Sequence, residues 1–162
     1  MSAKLKYFVI YKPDGMLTQF SPEGDKLTLK DMGFDFPTDV YPVGRLDELS
    51  EGLLILTNDK ALNSKLLDPK FKHSRSYWAC VSGQITDEAI NQLEKGVSIK
   101  LKNSRYQTKP AKAERIEAPE LAPRQVSFSY SQKLGLSWIN LSLTEGKNRQ
   151  VRKMTAQVGF PT

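Results

Sequence analysis

Apolar runs separated by turn signals divide the chain into short elements. Residues 7–11, Tyr7-Phe8-Val9-Ile10-Tyr11, join aromatic and β-branched side chains and predict a buried strand. Lys12-Pro13-Asp14-Gly15 follows as a turn. Residues 27–32 predict a short helix that stops at Gly33, and residues 34–39 a loop containing Pro37. Leu53-Leu54-Ile55-Leu56-Thr57 predicts a second buried strand. Asn58-Asp59 then caps a helix running to Leu67, where Asp68-Pro69 ends it. Residues 77–81 read as a strand closed by Ser82-Gly83. Thr86 is placed as an N-cap, Asp87 and Glu88 suit the positive end of a helix dipole, and Ala89, Ile90, Leu93 and Val97 form an apolar stripe around a stop at Gly96. Strands are expected at residues 111–116, 125–130 and 138–143, the last with Ile139, Leu141 and Leu143 alternating against Trp138, Asn140 and Ser142. Residues 147–158 predict a helix with Val151, Met154, Thr155 and Val158 on one face and Lys147, Arg149, Arg152 and Lys153 on much of the remainder. Strands outnumber helices, and short gaps join several of them. The expected fold class is therefore α+β, with a mixed, largely antiparallel sheet flanked by helices.

Composition narrows this picture modestly. The 162 residues suffice for a single domain spanning residues 1–162, and the balance of 39% hydrophobic and 26% charged residues is globular rather than disordered. The longest apolar runs, residues 7–11 and 53–56, fall far short of the ~20 residues that span a bilayer. Met1-Ser2-Ala3-Lys4-Leu5-Lys6 shows no signal-peptide pattern, and a single cysteine, Cys80, allows no disulfide within the chain. The expected setting is cytoplasmic and reducing, with no membrane contact. A net charge of +6 favours a polyanionic partner, because Lys and Arg gain by displacing counterions from phosphates.

Candidate chemistry is found by elimination. His73 is the only histidine and Cys80 the only cysteine, so spaced Cys/His metal sites are excluded, and no phosphate-loop or dinucleotide-binding glycine motif is present. His73 sits in a very polar stretch and reads as a surface residue; Cys80 reads as a core or half-buried thiol. Three segments remain. Gly44-Arg45-Leu46-Asp47-Glu48-Leu49-Ser50-Glu51-Gly52 places three carboxylates and an arginine between glycines just before a strand; it reads either as a functional loop or as a solvated acidic turn. Thr144-Glu145-Gly146-Lys147-Asn148-Arg149-Gln150-Val151-Arg152 opens a basic helix whose start suits an anion, or is simply an exposed amphipathic helix. Arg75-Ser76-Tyr77-Trp78 offers an aromatic ring beside a cation, suited to stacking a nucleobase, or is an ordinary strand.

Taken together, these segments resemble a known family. Gly44-Arg45-Leu46-Asp47-x-x-Ser50-x-Gly52-Leu53-Leu54-x-Leu56-Thr57-Asn58-Asp59 closely resembles the signature of the RsuA-like pseudouridine synthases. Tyr11-Lys12-Pro13-x-Gly15 resembles the family's early motif, Arg75-x-Tyr77 its strand motif, and residues 145–154 its late motif. The resemblance implies an isomerase that converts a uridine of ribosomal RNA, in the large-subunit (23S) branch, to pseudouridine without a cofactor or metal. In that picture Asp47 is the nucleophile, attacking the uracil ring or the ribose anomeric carbon. Tyr77 stacks on the flipped-out uracil, Arg152 pairs with Asp47, Val151 lines the floor beneath the base, and Arg45 enters the RNA stack. Arg149, Lys12 and Lys147 complete the expected RNA-binding set.

The same resemblance implies a monomer acting on large-subunit precursor RNA. It also implies two departures: no room for the small S4 RNA-binding domain of many relatives, and a missing C-terminal end after Phe160-Pro161-Thr162. Two other readings are open, a non-catalytic RNA-binding module and a carboxylate hydrolase using Asp47 with Glu48 or Glu51, the latter expecting an acidic rather than a basic cleft.

Overall fold

The computed structural model describes residues 4–121 and 135–162; the strand expected at residues 125–130 lies outside them. The chain divides into two compact units, Met1–Phe71 and Lys72–Thr162.

In the first unit, strand β1 (Tyr7–Lys12) pairs antiparallel with β5 (Gly52–Thr57), and β5 pairs antiparallel with the short β4 (Tyr41–Pro42). A two-residue parallel bridge joins β2 (Met16–Leu17) to β3 (Leu27–Thr28), and a 3-10 turn at Leu29–Met32 follows. Thr28 and Asp31 form a capping box on that turn, and Gly33 ends it in the left-handed conformation, so only the first two residues of the expected helix are strand. Helix α1 (Lys60–Leu67) starts where Asp59 accepts the backbone N–H groups of Ala61 and Leu62. The core is Met16, Leu29, Val40, Leu54 and Leu56, with Phe8, Ile10 and Phe36 packed against it. Phe8 meets Phe36 edge to face, with ring centroids 5.5 Å apart.

The two strands expected to be buried are instead two-faced. Tyr7, Val9, Tyr11 and Leu53 are exposed, while Leu54 and Leu56 are buried. A continuous apolar run does not reveal which alternate residues a sheet buries. Here the inward set is the even-numbered one, selected by the Phe8, Ile10, Leu54 and Leu56 contacts with the core.

In the second unit, β10 (Leu136–Leu143) is the central strand of an antiparallel sheet, between β6 (Arg75–Ser82) and β9 (Lys112–Ile116). Ile139, Leu141 and Leu143 face inward as the alternation requires, joined by Val81 from β6 and Ala113 from β9. Helix α2 (Asp87–Lys95) lays Ala89 and Leu93 on this core, capped by Thr86, which accepts the Ala89 N–H. A hairpin of β7 (Ser98–Lys100) and β8 (Arg105–Gln107), too short to be seen in the hydrophobic pattern, follows the helix. Helix α3 (Gln150–Gln157) buries Met154 and Thr155. It begins three residues later than expected, because residues 147–149 form a turn in which Arg149 takes φ 50°, ψ 38°. The fold is thus α+β with antiparallel sheets, as expected, and among the described residues no helix is long and apolar enough to cross a membrane.

Gly96 lets α2 turn directly into β7. Its φ is +88°, and a Cβ there would stand 2.3 Å from the carbonyl oxygen of Thr108. Thr108 in turn bonds Val97 through both its hydroxyl and its backbone N–H, which holds the hairpin against the helix end. Gly96→Ala should therefore lower unfolding free energy by about 3 kcal/mol or more, read as a shifted midpoint in urea denaturation.

Candidate active site

In the first unit, the loop at residues 44–52 connects β4 to β5 and is stapled to the segment that follows β1. Lys12, at the end of β1, is fully buried. Its ammonium donates to the carbonyl oxygens of Pro13 at 2.7 Å, Met16 at 2.6 Å and Glu48 at 3.3 Å. The backbone N–H of Gly15 also donates to the Glu48 carbonyl, at 2.9 Å. Thr18 Oγ1 donates to the Leu46 carbonyl at 2.8 Å and accepts the Leu46 N–H at 3.1 Å. The backbone is therefore fixed on both sides of Asp47, which is itself half-buried and whose carbonyl accepts the N–H of Ser50. Gly44, at φ +78°, opens the loop where a Cβ would press on Leu67 at 3.1 Å.

This unit brings Arg45, Asp47 and Lys12 to one loop, in different settings. Arg45 is exposed and donates to Gln19 Oε1 at 3.3 Å. Lys12 departs from the RNA contact expected of it: its charge points inward, satisfied by three carbonyls, because a buried ammonium needs acceptors and the loop provides them. Glu48, a second carboxylate for a hydrolase, is ion-paired with Lys26 at 3.1 Å.

In the second unit, β6 carries Tyr77 opposite Leu141 of β10. Tyr77 is half-buried and rests, like Val151 of α3, against the unit's core. Two residues before Tyr77, the Arg75 guanidinium lies over Gly146, such that a Cβ there would be 3.8 Å from both Nη atoms and 3.9 Å from Cζ. Arg152 is half-buried on the first turns of α3; Lys147 and Arg149 are exposed in the preceding turn. Lys147 Nζ sits 4.6 Å from the centroid of the Tyr106 ring, a cation–π contact. His73 is exposed and Cys80 half-buried.

Sequence reasoning missed the polar centre of this unit. Glu145 and Gln150 are each only 4% exposed. Glu145 Oε1 accepts the Lys109 N–H at 2.9 Å and Gln150 Nε2 at 2.8 Å, while Oε2 accepts the Tyr106 hydroxyl at 2.5 Å. Gln150 Oε1 accepts the Lys147 N–H at 2.8 Å, closing the turn before α3. Burial acts to raise the Glu145 carboxyl, but the hydrogen bonds from Tyr106, Lys109 and Gln150 outweigh it and hold it below its ordinary value. The same bond raises the Tyr106 hydroxyl. A signal was available: Glu145 extends the inward series Ile139, Leu141 and Leu143 at period two. Among the described residues no group of three His, Cys, Asp or Glu side chains is placed to hold a metal ion.

The profile of the family described as RNA pseudouridylate synthase matches residues 6–157. The chain belongs to this family. Within and beyond it, the chain is 40% identical over 158 residues to ribosomal large subunit pseudouridine synthase E of Vibrio parahaemolyticus, covering 97% of this chain and 63% of that protein. It is 42% identical over 157 residues to the protein of the same name from Xanthomonas axonopodis pv. citri, covering 95% of this chain and 80% of that one. A crystal structure titled as a pseudouridylate synthase superposes with a TM-score of 0.73 at 26% identity, over 98% of this chain and 59% of the other. The synthase family resemblance read from the four motifs thus holds, and the α+β fold is the family's.

Two outcomes test the geometry. Lys12→Met should lower unfolding free energy by about 2–3 kcal/mol, since three buried carbonyls lose a charged donor, and amide exchange at Gly15 and Leu46 should accelerate. For Glu145 the lowered folded value means that its contribution is present at neutral pH and is lost as pH falls through that value. The stability difference between the parent and Glu145→Gln, measured by denaturation across pH, should accordingly be largest near pH ~7 and shrink below about pH 4.

Proposed function

We propose that this chain is an RNA pseudouridine synthase that isomerises a uridine of large-subunit ribosomal RNA, with Asp47 as the nucleophile. The observation that carries the reading is the 40–42% identity, across nearly the whole chain, to two proteins named ribosomal large subunit pseudouridine synthase E. The net charge of +6 suits an RNA substrate. The chain spans 63% of the Vibrio relative, so activity, substrate and partner are assigned here by inference.

The chemistry balances without an external reagent. The Asp47 carboxylate attacks the ribose anomeric carbon or the uracil ring, the glycosidic bond between the anomeric carbon and N1 breaks, and the base turns. A bond from C5 to the anomeric carbon then forms, the bond to the Asp47 carboxylate breaks and regenerates it, C5 gives up its proton, and N1 gains one. Nothing else enters or leaves, which accords with covalent catalysis by side chains alone. The hydrogen bonds at Leu46 and Glu48 fix the backbone that presents the carboxylate. Tyr77 supplies a ring on which a flipped-out uracil stacks and a hydroxyl that takes part in the final proton removal. Val151 contributes the apolar floor beneath the base. Arg152 is the charge partner assigned to the nucleophile, and the uridine is flipped out of its stack to be reached. Arg45, Lys147 and Arg149, all exposed, meet the RNA backbone or its stack, whereas Lys12 holds the loop. The enzyme acts as a monomer in the cytoplasm on precursor ribosomal RNA.

The test is tritium release from ribosomal RNA labelled at uracil C5. Asp47→Asn should reduce release to background while RNA binding, measured by filter retention, is kept. Undiminished release by the variant would remove Asp47 from the mechanism. Comparing pseudouridine maps of ribosomal RNA from cells with and without the gene identifies the target.

A further inference from the structure

The Glu145–Gln150 pair takes no part in the chemistry just described, yet both side chains are buried and each is hydrogen-bonded through both of its terminal polar atoms. Glu145 stands at the end of β10 and Gln150 at the first position of α3, five residues apart across a turn. On one side, Glu145 is anchored to the hairpin region through Tyr106 and the Lys109 N–H, 39 and 36 residues distant in sequence. On the other, Gln150 bonds Glu145 through Nε2 and the Lys147 N–H through Oε1, and Nε2 also lies 3.6 Å from Met154 Sδ. Arg149, between them, is held at φ 50°, one of two described non-glycine residues with positive φ. A left-handed arginine is strained and persists where its surroundings over-determine it. The bond from the Lys147 N–H to Gln150 Oε1 spans this residue and closes the turn that contains it. Arg152 follows two residues after Gln150, so the point at which α3 begins also sets the height and rotation of Arg152.

We propose that Glu145 is a positioning residue for Arg152, acting through Gln150 and the first turn of α3. The inference rests on the pseudouridine synthase reading, because it concerns the arginine to which that reading gives a role. The pair has a donor–acceptor polarity: the carboxylate accepts and the amide donates. Gln150→Glu sets two carboxylates against each other at a separation now bridged by a 2.8 Å hydrogen bond, so it breaks the clamp at neutral pH and restores it when the two share a proton. Glu145→Gln removes the charged acceptor. The double variant Glu145→Gln/Gln150→Glu reverses the polarity, keeps one pair bond and an oxygen at residue 150 for the Lys147 N–H, and gives up the acceptor of the Lys109 N–H.

The experiment measures kcat and KM by tritium release for the full chain and the three variants, with folding checked by circular dichroism. Both single variants should lose about tenfold to a hundredfold in kcat, as small misplacements of an active-site group do, with KM nearly unchanged. Gln150→Glu should regain activity as pH is lowered, and the double variant should exceed Gln150→Glu at neutral pH. Folded single variants with parental kcat, a loss confined to KM, or a double variant no better than Gln150→Glu at neutral pH would overturn the proposal. Should Glu145→Gln not fold, Tyr106→Phe decides: it removes one donor and leaves the carboxylate, and a parental kcat in that folded variant sinks the inference. A parental protein that releases no tritium refutes the functional reading itself, and the positioning role with it; active parent with indifferent variants refutes only the latter.

Discussion

A carboxylate withdrawn from water is tolerable only where donors surround it, and the second unit is arranged around that requirement at Glu145. The three donors come from three different places: the strand β8, the segment after it, and the first turn of α3. Each would be elsewhere without its own support. Thr108, gripped by Val97 beyond the Gly96 turn, holds the hairpin close to the end of α2. That leaves Tyr106 and Lys109 facing the end of β10. Gln150 then ties α3 to the same carboxylate. The apolar core of Val81, Leu93, Ile139, Leu141 and Met154 brings the elements into contact. A hydrophobic contact is nondirectional, however, and it is the hydrogen bonds to Glu145 that specify one register among the packings such a core would accept.

Much of the fold was legible because local rules and tertiary packing agree. Asp59 and Thr86 cap the helices they were expected to cap, and β10 buries the half of its alternation that the pattern marked. The failures have a common cause in partners distant along the chain. β1 and β5 read as uniformly apolar, and only the core contacts of Phe8, Ile10, Leu54 and Leu56 show which face is turned inward. The hairpin of β7 and β8 has three residues in each strand, below the length at which alternation can be recognised. α3 was extended into residues 147–149 because those residues are acceptable in a helix; the turn is imposed by Gln150 and Glu145. Of the candidate site, Asp47, Tyr77 and Arg152 are marked in the sequence by motifs alone. Lys12 was misread as an RNA contact, since a lysine in a basic protein gives no sign that it will be buried under carbonyls.

The two units therefore solve one problem with opposite charges. In the first, a buried cation gathers carbonyl oxygens around Lys12 and fixes the loop that carries Asp47. In the second, a buried anion gathers donors around Glu145 and fixes the turn that precedes Arg152. In both, the exposed or half-exposed group with a proposed role stands on a loop or turn whose backbone is held by a buried charge that has none in the chemistry. This separates rigidity from reactivity: the buried charge is saturated with partners.

The staples of the Asp47 loop also bear on the order in which the chain acquires its structure. Lys12 reaches Glu48 across 36 residues and Thr18 reaches Leu46 across 28. Each closes a long stretch of chain and forms only after that entropy has been given up, whereas the capping bonds of α1 and α2 join neighbours. The loop is thus a late acquisition in folding, contingent on β1 and β5 having already paired. By the same logic, loss of the β1–β5 pairing releases both staples together, so the segment that presents the carboxylate does not outlast the sheet beneath it.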